Sequence, residues 1–345
     1  MSKIIISKLH LKDLNKFNIF IKKHWVSKIN LSNLKKVFKW QYQNNKYYNF
    51  YVARKLKKII GIQGFIPINH YDKSFNKDQI FLAFLRVMEG KHIGVGLKLQ
   101  QNIIKENNPK FIGVVNIVKL THNFHKWLGF TIHKMNHHFI FSKKINKFKI
   151  LKLRKLRKVK IKKYPNTSVI ELNLKNINKL LNNSFYDIQI PTKSNKFIIN
   201  RYIKHPFYRY VVLLISKYKT PKAIMVIRPI KIKNTTVLRF VDYIGSEKSF
   251  LLTGVISSKL LEKFNAEYID LYSYGISKKI LKNAGYTNRY NEKDSIVPNH
   301  FEPFEKKNID LFCGFKSKLD NSRIKLFKGD GDGDRPSILK SSKLI

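Results

Sequence analysis

A chain of 345 residues is long enough for two domains, and 43% apolar with 26% charged residues is the balance of a folded protein, not of a disordered one. The formal net charge of +48 points to anionic partners, whether nucleic acid, acidic lipid or small phosphorylated molecules. Lysine far outnumbers arginine and travels with asparagine and isoleucine, as AT-rich coding produces, whereas proteins that read bases lean on arginine, so nucleic acid is the less expected partner.

In chain order, Leu11, Leu14, Phe17 and Ile21 recur at helical spacing, and Ser32 is placed to cap a second helix running through Trp40. Strands are expected over 49–53 and 59–66, joined by a turn at Lys55-Leu56-Lys57-Lys58. The stretch 79–130 then reads as strand (80–88), glycine-rich loop (89–96), helix (97–104), strand (111–117) and helix (121–128), followed by a strand over 131–142. Residues 143–164 form a basic run, read as a solvated connection between domains. The second half repeats the order: strand 168–174, helices 175–183 and 193–203, strands 210–216, 223–229 and 236–243, helix 250–264, strand 268–274, helix 277–284. The expected division is 1–145, a basic linker 146–165, a second domain 166–318, and a tail 319–345 carrying Asp330-Gly331-Asp332-Gly333-Asp334-Arg335-Pro336, with a cleft between the domains.

Other classes are weakened by what the chain does not contain. Cys313 is the single cysteine, so neither a disulfide framework nor a thiolate metal site is expected within one chain. No His-Glu-x-x-His spacing occurs, and the tail aspartates, though spaced like the start of a calcium loop, have no closing glutamate, so no metal is expected. The apolar run at the start is too short for a signal peptide, and nothing approaches a membrane span, so a cytoplasmic protein is expected, with peripheral contact to an anionic membrane surface as an option.

The loop Glu89-Gly90-Lys91-His92-Ile93-Gly94-Val95-Gly96 is the informative stretch. A glycine-rich turn from strand into helix presents backbone N–H groups at the positive helix end, which suits phosphate. The Gly-Lys-Ser/Thr ending of a Walker loop is not there, and Gly90, Gly94 and Gly96 do not follow the dinucleotide spacing. Lys91-His92-Ile93-Gly94-Val95-Gly96 resembles the acyl-coenzyme A loop of the GNAT acetyltransferase superfamily, Gln/Arg-x-x-Gly-x-Gly/Ala, with lysine first. His125-Lys126-Trp127-Leu128-Gly129-Phe130 is similar to the second half of that signature, Tyr-x-x-x-Gly-Phe, with His125 for the tyrosine. The resemblance implies an α/β fold of tandem GNAT-like domains, each a mixed twisted sheet flanked by helices, with the second domain lacking the glycine loop.

A narrower resemblance, covering most of the chain, is to two-domain GNAT proteins of bacterial polysaccharide and lipopolysaccharide gene clusters. It rests on 38–42, 201–208, 238–245 and the tail from Asp330 to Ser337, its most specific piece, where that group usually has glutamine in place of Gly333.

The superfamily pattern implies roles. Val87 and Met88 would hold the thioester carbonyl with their N–H groups; Lys91, His92, Ile93, Gly94, Val95 and Gly96 would hold the pyrophosphate, with Asn116 beside the cofactor. His125 would protonate the departing thiolate. The general base is open among His92, His122, His137 and Glu89, or a water chain. Trp40, His205, Tyr208, Asp242, Asp332 and Asp334 are candidates to line the acceptor site. The expected function is transfer of an acyl group, most simply acetyl, from acyl-coenzyme A to an amino sugar or sugar nucleotide. The alternatives are an aminoacyl-tRNA-dependent transferase with two GNAT-like domains and a non-catalytic binder of anionic polymers.

Overall fold

The computed structural model describes residues 3–24, 35–90, 92–154, 161–186, 188–302 and 304–336. The expected cap at Ser32 therefore lies outside the described residues, as do Lys91 and the residues after 336. The chain forms two compact units: 1–132 with 314–319 and 331–345, and 133–313 with 320–330.

The first unit is built on a mixed sheet of β1 (Ile5–His10), β2 (Tyr47–Lys55), β3 (Lys58–Pro67), β4 (Gln79–Val87), β5 (Phe111–Ile117) and β6 (Thr131–Lys134). Helices α1 (Leu14–His24), α2 (Lys35–Tyr42), α3 (Val95–Asn107) and α4 (His122–Trp127) join these strands. The order across the sheet is β1-β2-β3-β4-β5, then the strand Phe312–Ser317, then β6. The β2–β3 hairpin closes on two residues, Leu56 and Lys57, with φ of 47° and 64°, as the right-handed strand twist demands of so short a turn. Helix α3 buries Val95, Leu99 and Ile103, spaced by four residues, against Tyr51, Ile80, Leu82 and Ile112 of the sheet.

The second unit carries β7 (Asn136–Phe141), β8 (Thr167–Glu171), β9 (Val211–Lys217), β10 (Thr220–Ile232), β11 (Thr235–Gly245) and β12 (Ala266–Tyr274). The spatial order is β7-β12-β11-β10-β9-β8. Helices α5 (Ile177–Leu180), α6 (Asn195–Ile198), α7 (Thr253–Lys263) and α8 (Lys278–Asn283) accompany it. Its core is apolar and large: Phe240, Leu271, Ile269, Phe250, Leu261 and Tyr286 are all at most 2% exposed.

Two expectations about organisation are corrected. The strand expected over 131–142 is two strands, and β7 pairs with β12 (Tyr268↔Phe141 through Ser273↔Asn136), so it completes the second sheet rather than ending the first domain at 145. Alternating apolar residues announce a strand but not the edge it joins. The expected linker 146–165 is also partly core: Ile150 and Leu151 are buried, and the Glu267 carboxylate accepts the N–H groups of Lys149, Ile150 and Leu151 at 2.6–2.9 Å.

Candidate functional site

The loop after β4 is shaped by its glycines. Gly90 and Gly94 have φ of 104° and 81°, and Gly94 is the N-cap of α3, donating no side-chain cap. Lys98 N–H reaches Gly94 O at 3.0 Å, so the helix proper begins there. Val95 N–H reaches His92 O at 3.3 Å, the next N–H groups of the first turn have no carbonyl partners within the helix, and the N-cap, Gly94, has no side chain to cap them. A β-carbon at Gly90 or Gly94 would meet nothing within 4 Å, and one at Gly96 would make ordinary contact with Val87 at 3.5 Å. Positive φ accounts for the first two glycines. Neither φ nor packing accounts for Gly96, and a ligand brought close to the backbone would. Ile93 is 99% exposed and His92 is half-buried.

Beside this loop the two parallel strands part. The ladder between β4 and β5 holds for Gln79↔Phe111, Ile80↔Ile112 and Phe81↔Gly113 only. Phe84 then takes φ of 47°, at a register shift between β3 and β4. A bulky residue in that region of backbone space is strained, and bulges of this kind end pairing and re-aim a strand. Gly61 pairs with Val87, and Met88 donates its N–H to Ile60 O at 2.8 Å. Donors alternate sides along an antiparallel ladder, so Val87 N–H points away from β3, toward the parted side. The expectation is thus corrected for Met88, whose N–H is spent on the ladder.

The tail enters at the same place. Asn116, with φ of 66°, donates Nδ2 to Gly333 O at 3.2 Å, while its Oδ1 has no hydrogen-bond partner among the described groups. Gly331 has φ of 58°, and a β-carbon on it would lie 3.0 Å from Phe81. Arg335 pairs with Asp332 and lays its guanidinium 4.1 Å from the Phe84 ring centroid. Asp332 and Asp334 are both buried, and the charge of Asp332 adds to the burial that pushes the Tyr42 phenol well above its usual range. Trp40, on α2, is half-buried, with its ring 5.4 Å from that of Tyr71 and its carbonyl accepting His70 Nε2. Asn116, Asp332 and Asp334 are therefore brought together around the parted strands. Reading the sequence did not single out Tyr42, Phe84 or Arg335. Arg335 had a signal, its place in the tail motif; the backbone of Phe84 had none.

His125 faces inward. It is 6% exposed, its Nδ1 lies 3.5 Å from Gln100 Nε2, and the Phe130 ring packs at 5.4 Å. Burial, aided by His122, pulls its pKa down to about 4. An imidazole of that pKa carries no acidic proton at pH 7, so the role implied for it as thiolate acid is not the one this environment prepares.

The remaining candidates sit in the second unit. Asp242 is fully buried, bound by Lys193 Nζ at 2.6 Å and by Tyr202 Oη at 2.6 Å; Lys193 also lies 3.2 Å from Asp330. Burial alone would lower Lys193, but the two carboxylates outweigh it and its pKa is raised; burial pushes Asp330 up to about 6 against the pull of Lys193. Asp242 is a core ion-pair residue, not one exposed to substrate. Tyr208 packs its ring under Arg228 at 3.8 Å and hydrogen-bonds Glu302, and His205 stacks on it at 5.3 Å with Nδ1 accepting two backbone N–H groups. His137 is wholly buried on β7, stacked 4.1 Å from Tyr272, with Nδ1 held by Tyr272 Oη and Arg289. Burial, reinforced by Arg289, holds it neutral, but a base with no exposed surface cannot reach an amine. Cys313 is buried as well, its thiol pushed up to about 12.

No protein-family model and no curated protein sequence matches the chain. Solved structures do. A GCN5-related N-acetyltransferase from Anabaena variabilis superposes over 91% of this chain and 72% of its own, with a TM-score of 0.57 at 11% identity. A GCN5-related N-acetyltransferase from Kribbella flavida gives 0.53 at 8% identity over 91% and 71%. A GCN5-related glucosamine N-acetyltransferase region of a fungal multi-domain β-N-acetylglucosaminidase gives 0.53 at 9% identity, over 92% of this chain and 38% of that one. The fold is that of the GCN5-related N-acetyltransferases, with two mixed sheets as tandem domains of that type have.

Proposed function

We propose that the first unit binds an acyl-coenzyme A and transfers its acyl group to the amine of an amino sugar or sugar nucleotide, in the assembly of a surface polysaccharide. The observation that carries the reading is Gly96, a glycine required by neither backbone nor packing, in the first turn of a helix whose N-cap is itself glycine, beside two parted parallel strands. The helix end and the Gly94–Gly96 backbone suit the pyrophosphate. The parted strands make room for the pantetheine arm, and Val87 N–H is directed to stabilise the oxyanion formed when the amine adds to the thioester carbon. The carbon–nitrogen bond forms, the carbon–sulfur bond breaks, and the ammonium proton passes to a base; the thiolate leaves without needing an acid. The tail carboxylates Asp332 and Asp334 lie beside the same strands but are buried, Asp332 against Arg335, so they serve the reading as neighbours of the site and not as groups open to the amine. The glucosamine-acetylating neighbour makes an amino sugar the acceptor class to try first.

Ligand-dependent thermal melting against acetyl-coenzyme A, longer acyl-coenzyme A thioesters and amino-sugar nucleotides tests the reading. A rise in melting temperature with thioester, lost in Gly96→Val, is expected. No rise with any acyl-coenzyme A would sink it.

A further inference from the structure

We propose that one end of the first sheet is a docking surface for an anionic lipid bilayer. Five large apolar side chains face water there: Ile5 (59% exposed), Leu56 (76%), Ile93 (99%), Val118 (61%) and Leu120 (93%). They come from four separate segments, and strand register brings them to one end. Ile5 pairs with Arg54, next to the hairpin tip that holds Leu56. Gly61, just past that tip, pairs with Val87, the last residue of β4, so the loop bearing Ile93 leaves from the same end. β5 runs parallel to β4, and Val118 and Leu120 follow its last residue, Ile117. Single exposed apolar residues are ordinary, but a row of them along the loop tips of one sheet end marks a contact surface.

The charge on these tips selects the partner. Lys3, Lys57, Lys58 and Lys119 are exposed among them, and within the segments 3–6, 55–60, 88–94 and 117–121 the one acidic residue, Glu89, is paired with Arg86 at 2.9 Å. A stable protein interface uses about 20–30 residues on each side and is depleted in lysine. A bilayer asks for neither: a few apolar side chains enter the boundary below the headgroups while lysines meet anionic headgroups. The overall charge of +48 adds long-range attraction.

The same end carries the Gly90–Gly96 loop. If that loop takes an acyl-coenzyme A, as proposed above, a docked bilayer would deliver long-chain thioesters, which are amphiphilic, directly to it. The docking itself does not depend on that reading.

The test is sedimentation of the full chain with vesicles of phosphatidylcholine alone or with about a third phosphatidylglycerol. Binding to the anionic vesicles is expected, reduced about tenfold in the double variant Leu56→Asn, Leu120→Asn. Both positions are exposed, asparagine is at home with the positive φ of Leu56, and the variant should keep its melting temperature and its response to acyl-coenzyme A. No binding to anionic vesicles overturns the proposal, as does equal binding of the variant, which would mean charge alone. An unsubstituted chain that ignores anionic vesicles but responds to the thioester counts against this inference only; one that binds the vesicles but gives no thioester response counts against the proposed reaction only.

Discussion

Each unit contains a turn from a strand into a helix beside a parallel neighbour, and the two turns are finished differently. After β4, Gly90 and Gly94 face open space, Gly96 has room for a β-carbon, and the N-cap, Gly94, has no side chain to cap the helix. After β11, a β-carbon on Gly245 would lie 2.5 Å from Tyr243 Oη and 2.9 Å from Ala223 Cβ; Ser246 Oγ accepts Ser249 N–H at 3.1 Å, and the Glu247 carboxylate accepts Ser277 N–H at 2.6 Å. The strand gaps differ in the same way. β11 and β12 also stop pairing, after Phe240↔Leu271, but there Leu326 and Phe327 pair with β12, and Gly329 N–H binds Val241 O at 2.7 Å. A turn whose glycines are packed against is architecture; one whose glycines at positive φ stand open, though His92 and Val95 N–H are bonded within it, is a candidate site.

The largest test of that contrast is Lys193→Ala. It leaves Asp242 and Asp330 buried without their cation, and a broken buried ion pair costs ~3–5 kcal/mol. Urea unfolding should show that loss, while the protein that remains folded keeps its acyl-coenzyme A response. Loss of the response at an unchanged unfolding midpoint would place ligand chemistry in the second unit.

Gly96→Val and Gly245→Val should dissociate. The first removes close approach to the helix end, a loss of affinity of roughly a hundredfold, equivalent to one or two charge-assisted hydrogen bonds, with little change in melting. The second overpacks Tyr243 and Ala223 by about 1–3 kcal/mol and leaves affinity alone. Equal loss of affinity at both would erase the distinction between the turns.

Acid should separate the units less sharply. His125 and His138 are held by burial at about 4, against an ordinary 6.5, and burial holds His137 well below its usual range. Each is neutral when folded and gains a proton on unfolding, so their stability contribution is present above pH 6.5 and lost as pH falls toward 4. Asp330, raised from 3.8 to about 6, has the opposite sign: its contribution is present below 3.8 and lost as pH rises through 6. Three histidines against one carboxyl leave a net loss on acidification, on the order of 3 kcal/mol each for His125 and His138. A flat melting temperature from pH 7 to pH 4 would contradict the burial of these side chains.

The smallest effect concerns His125→Phe. With its imidazole neutral and packed on Gln100, kcat should change less than about threefold. A drop of ~10²–10⁴, the usual worth of general acid catalysis, with partial rescue by His125→Tyr, would restore the role implied by the resemblance.

Much of the order of strands and helices was legible in the sequence because apolar spacing, glycine loops and hairpin tips are local: the strand expected over 111–117 is β5 to the residue, and those over 59–66 and 268–274 are within two residues at each end, whereas β1 and the strand Phe312–Ser317 were not expected. The loop 89–96 was legible for the same reason, since a glycine turn opening a helix is written in consecutive residues. What only the tertiary structure decided is where elements go and what they touch. The pattern of 136–141 fits any sheet edge, and pairing with β12 put it in the second unit. Asp242, His137 and His125 are chemically able residues whose burial, invisible to spacing, gives them partners inside the fold. Asn116 and Gly333 lie more than two hundred positions apart, and chain connectivity carries no record of a hydrogen bond closed across that separation.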